Sequence, residues 1–69
     1  MRLLFSHHAR EKMAARGITA LQVEEAIKRG SKYLQKPDRI VAEYRYFSVV
    51  YRQASDCCFI ITVKPRWKP

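Results

Sequence analysis

Apolar and polar positions change rhythm once along this chain. Up to Gly30 the spacing is helical; beyond it the two-residue alternation of strands takes over. Ser6 is a good N-cap for a helix over residues 7–16, anchored by Ala9 and Met13, and Gly17 is a natural residue to stop it. Ile18-Thr19-Ala20-Leu21-Gln22-Val23 is a fuller start signal. Thr19 and Gln22 have capping-box spacing, and Ile18 and Val23 have the spacing of a hydrophobic staple. This second helix runs to about Arg29, with Gly30 ending it. Val23, Ala26, Ile27 and Gly30 face inward, and Glu24–Lys28 and Glu25–Arg29 line the outside in acid-before-base order.

After Gly30, SKYLQK reads as a short extended segment and Pro37-Asp38 as a turn. RIVAEY, YFSVVYRQ and CCFIITVKP are rich in β-branched and aromatic residues and read as strands. Gln53-Ala54-Ser55-Asp56 is a polar break of hairpin length. Around Arg45-Tyr46 either a turn or a bent strand fits. Alternation places Phe47, Val49 and Tyr51, and Phe59, Ile61 and Val63, under the helices. The opposite face then carries Arg52, Thr62 and Lys64, with Arg66 and Trp67 just beyond. The architecture predicted is α+β: an N-terminal two-helix hairpin packed on a small antiparallel sheet of three to four strands.

Sixty-nine residues suit a single domain with a small core. The opening MRLLF is too short for a signal peptide and no stretch approaches a membrane span, so a cytoplasmic protein, monomer or homodimer, is expected. Cys57 and Cys58 are neighbours, which suits neither a disulfide staple nor a zinc site. Two reduced thiols, one facing in and one out, is the expectation. Charge changes the picture most. Fourteen Lys and Arg against six acids give +8, the balance of a chain that seeks polyanions, above all nucleic acid.

Two groups of residues could carry chemistry. His8, Lys12 and Arg16 are spaced i, i+4, i+8, a stripe of one imidazole and two cations suited to proton transfer and phosphate handling. Against this stand a histidine bonded to a backbone carbonyl and a solvated helix face. Adjacent His7-His8 and Cys57-Cys58 chelate poorly, so no metal or other cofactor is expected. Arg52, Thr62, Lys64, Arg66 and Trp67 mix phosphate contacts with a stacking platform, though strands also favour such residues for packing alone.

His8-Ala9, the basic Lys12, Arg16-Gly17-Ile18-Thr19, Glu24-Glu25-Ala26-Ile27 and Ile60-Ile61-Thr62-Val63 resemble a family of small bacterial and archaeal domains of unknown function. The likeness runs from Phe5 to about Arg66, with lysine at position 12 where the family pattern has arginine. That family is in turn similar to the RelE/ParE-type toxins. The resemblance implies a RelE-like fold, metal-independent RNA cleavage or inhibition of a nucleic-acid machine, and an acidic antitoxin-like partner. It places Arg52, Thr62, Lys64 and Arg66 in positions comparable to the toxins' basic sheet residues. Ribonuclease and non-catalytic nucleic-acid-binding domain stand level as functions, and an interaction module for an acidic protein is the third.

Overall fold

The computed structural model describes residues 2–66. Strand β1 (Arg2–Phe5) leads into helices α1 (His7–Arg16) and α2 (Ala20–Arg29), followed by β2 (Ser31–Gln35), β3 (Arg39–Tyr44), β4 (Phe47–Ala54) and β5 (Cys57–Pro65). The strands form one mixed sheet in the order β1-β5-β4-β3-β2, with β1 parallel to β5 and the other pairs antiparallel. This corrects the expected architecture. The helices are not the N-terminal element, and the sheet has five strands rather than three or four. The class remains α+β. β1 escapes notice because four residues with no turn signal on either side carry no period. Its partner is the far end of the chain, Arg2 opposite Cys57 and Phe5 opposite Ile60.

Both helices begin and end as their caps dictate. Ser6 Oγ accepts from the Ala9 N–H at 2.9 Å, and the Thr19–Gln22 capping box is complete. At the end of α1, Gly17 takes φ 68°, and the Ile18 N–H bonds the Met13 carbonyl at 2.9 Å in a Schellman closure. Lys28 and Glu24 pair at 2.9 Å on the outer face of α2. The hairpin between β3 and β4 turns on Arg45 and Tyr46, with Arg45 at φ 55°, so a turn and not a bent strand joins them.

Both helices lie on one face of the sheet, α1 over β5 and α2 over β3 and β4. Ala9, Ile18, Val23, Ala26 and Ile27 close on Ala42, Phe47, Val49, Tyr51, Cys58, Ile60 and Val63. The last strand departs from simple alternation. Val50 pairs with Thr62 but Tyr51 pairs with Ile60, so Ile61 is an extra residue in β5. A bulge inverts the inside–outside pattern on one side of itself. Val63 is therefore buried as expected, but Cys58 and Ile60 take the inner places assigned to Phe59 and Ile61, and Phe59 faces out with 40% exposure. Ser6 fastens this bulge to α1: its N–H bonds the Ile60 carbonyl at 3.0 Å and its hydroxyl donates to the Ile61 carbonyl at 2.7 Å.

Candidate nucleic-acid interface

The face of the sheet that no helix covers is built in rows by the strand register. Across its middle run Tyr33, Val41, Val50 and Thr62. On one side lie Ser31, Glu43, Ser48 and Lys64, and on the other Gln35 and Arg39 with Arg52, Phe59 and Leu4. Val41 and Val50 are buried yet stand apart from the helix-side core. Cations rim this face, and two aromatic rings, Phe59 and Tyr33 (48% exposed), are open to solvent on it.

Arg52 sits at this rim, and its Nε lies 3.6 Å from Asp38 Oδ2 with both side chains more than half exposed. A pair so long and so wet contributes little and exchanges readily. A phosphate would offer the guanidinium two oxygens at once, a stronger partner than one distant carboxylate oxygen. Lys64 and Arg39 form no ion pair among the described residues. Arg66 is spent differently. Its backbone N–H bonds the Tyr46 carbonyl at 3.0 Å, its Nη1 donates to the Arg45 carbonyl at 3.2 Å, and its Nε lies 3.6 Å from Glu43. It clamps the β3–β4 turn to β5. Trp67 lies outside the described residues.

The stripe on α1 belongs to another surface. His8 and Arg16 are exposed and Lys12 is half-buried, on a helix packed against the opposite face from Arg52, Thr62 and Lys64. His7 pairs with Glu11 at 3.0 Å. Arg16 lines a cleft of ≈ 270 Å³ with Ala15, Tyr46, Phe47 and Pro65 at the end of the sheet. The sheet thus separates His8 from the cations it would need in one catalytic site. Among the described residues no three His, Cys, Asp or Glu side chains gather as a metal site, and no helix is long and apolar enough to cross a membrane.

Sequence reasoning missed Arg39, Phe59, Tyr33 and Leu4 as members of the open face. Arg39 was available, since it alternates in phase with Val41 and Glu43. Phe59 was hidden by the bulge, and Leu4 by the unread first strand. The DUF4258 model, a domain of unknown function, matches residues 5–64. The chain belongs to that family. No curated protein and no solved structure matches it.

Proposed function

We propose that this DUF4258 domain binds single-stranded RNA on the open face of its sheet, without cleaving it. Phe59 and Tyr33 serve as stacking platforms, and Arg39, Arg52 and Lys64 hold the phosphates. The observation that carries the reading is the gathering of exposed rings and weakly engaged cations on the one sheet face left bare by the helices, in a chain of net charge +8. Flat sheets with exposed rings suit splayed bases, because every base has a π-face to stack. RNA as the polyanion is also what a likeness to the RelE/ParE-type toxins, expected from the sequence, would imply. Cleavage would need His8 beside the bound phosphate, and the sheet stands between them.

Fluorescence anisotropy with a labelled mixed-sequence RNA oligomer tests this. With about three phosphate contacts, log affinity should fall with log salt at a slope near −2 on single strands. Arg52→Ala and Lys64→Ala should each flatten that slope by about 0.7. Phe59→Ala should weaken binding by roughly 10-fold or more while leaving the slope unchanged, because it removes stacking and not charge. His8→Ala should alter neither affinity nor the integrity of the RNA after long incubation. Undetectable binding at low salt sinks the RNA reading, and cleavage lost with His8 sinks the non-catalytic part of it.

A further inference from the structure

β2 is the outermost strand, all five of its residues are exposed, and only its β3 side is paired. Such an edge offers a row of backbone donors and acceptors to another strand. Next to it, on the helix side, α2 leaves part of the sheet bare. Ile27, Tyr33, Leu34, Ile40 and Tyr51, with Lys32 and Gln53, line a shallow, mainly apolar groove of ≈ 460 Å³ there. Leu34 stands at its lip, 81% exposed, the most exposed of the large apolar side chains among the described residues. We propose that β2 is a docking edge for an extended segment of another protein. That segment carries an apolar residue flanked at two-residue spacing by acids, in the pattern acid-x-apolar-x-acid.

Register arithmetic chooses this occupant over a second copy. The side chains of Lys32 and Leu34 share the helix-side face of β2, and Lys36 follows in the turn just beyond its end. Consider two β2 strands paired antiparallel about an axis normal to the sheet. Centring the pair on Leu34 sets leucine against leucine, but it also sets Lys32 against Lys36 twice. Centring it on Tyr33 sets each Leu34 against a Lys32. Like charges directly opposite destabilise a strand pair, and opposite charges stabilise it. The +8 chain adds general repulsion between copies. A foreign strand with its apolar residue opposite Leu34 closes the groove, sets one acid opposite Lys32 and carries the other to the turn that holds Lys36. The edge strand itself holds no acid to oppose them. Main-chain pairing supplies affinity in this mode and alternate side chains supply selectivity.

Leu34 and Lys32 point away from the RNA face, and Tyr33 between them borders both surfaces. Two short labelled peptides test the docking edge against the full chain. One has Glu-Val-Leu-Val-Glu at its centre, and the other has lysine in place of both glutamates. The first should bind and the second should bind at least about 10-fold more weakly, with the gap narrowing as salt rises. Hydrogen exchange should show new protection at β2 amides only with the first. Leu34→Ser, at an exposed position that cannot unfold the domain by itself, should weaken the first peptide about 10-fold. It should leave RNA affinity untouched, so failure of this inference is distinguishable from failure of the RNA reading. No binding of the acidic peptide, equal binding of both, or full retention by Leu34→Ser overturns the proposal. So does a concentration-dependent dimer that Leu34→Ser abolishes, because a second copy would then be the occupant.

Discussion

Adding one methyl group at Gly30 should destabilise the domain more than any other single-methyl change in a loop. Gly30 is the whole connection between α2 and β2, and the chain there passes between two backbone oxygens. A Cβ at Gly30 would lie 2.5 Å from the Ala26 carbonyl oxygen and 2.6 Å from that of Glu43. Neither oxygen belongs to a flexible side chain. Reaching an ordinary carbon–oxygen separation requires each of the two oxygens to give by roughly 0.7–0.8 Å. Forced expansion of packed structure typically costs about 1–3 kcal/mol. Stiffening the unfolded chain returns about 0.4–1 kcal/mol, because φ −73° at Gly30 is a value any residue adopts. Gly30→Ala should therefore lose about 1.3 kcal/mol, which in a domain of this size lowers Tm by roughly 5–10 °C. Gly17→Ala is the informative comparison. No atom lies within 4 Å of a Cβ there, so its cost is the left-handed backbone alone, about 1 kcal/mol. Urea and thermal unfolding followed by circular dichroism would rank the two. If Gly30→Ala falls within 0.5 kcal/mol of wild type, or below Gly17→Ala in cost, the close approach of α2 to β3 is wrong.

Two further perturbations probe the rest of the frame. Thr19→Ala removes an exposed capping box and should cost about 1 kcal/mol, whereas Ser6→Ala removes a cap and also leaves the Ile61 carbonyl at the bulge without its donor, about 2 kcal/mol in all; equal unfolding midpoints would dissociate Ser6 from the bulge. Burial holds the Cys58 thiol above its usual range, and burial first, then the neighbouring Cys58, does the same for Tyr51. Both groups therefore stay protonated longer in the folded state than in the unfolded one, and the stability they contribute is complete at neutral pH and lost as pH rises past about 9. Urea midpoints measured from pH 7 to 11 should fall accordingly, and a thiol reagent at pH 8 should titrate Cys57 quickly and Cys58 only as the chain unfolds. Fast reaction of both thiols would contradict the burial of Cys58.

What could be read from the chain was whatever is enforced by neighbours in sequence. Ser6, Gly17, Thr19 with Gln22, and Gly30 act within a few residues of themselves, and the helices they bound run 7–16 and 20–29 as their caps require. The strands after Gly30 declared themselves by residue type. Three features depend on partners far away, and all three were invisible locally. β1 is a strand only because β5 lies beside it. Ile61 is an extra residue only because β4 counts one fewer. Arg66 is a clamp only because the β3–β4 turn comes within reach of its guanidinium.

The bulge has the widest consequence for function. Without it, strict alternation would bury Phe59 under α1 and leave Ile60 on the open face, giving that face a branched aliphatic side chain where it now has a ring. One inserted residue turns the half of β5 toward Cys57 over, while Val63 and Lys64 keep their places. That half-strand pairs with β1, so Leu4 comes to the open face beside Phe59, and Leu3 and Phe5 go under the helices. Ser6 holds the arrangement at the point of the shift. A local irregularity tied to the cap of α1 thus decides whether a ring or an aliphatic side chain stands beside Arg52 on the open face. The stripe of His8, Lys12 and Arg16 lies on a helix over the other face, a separation that the sequence does not show by itself. Chain distance carries no sign for the side of a sheet, and that side is set only when the helices choose the face rich in Phe47, Val49 and Tyr51.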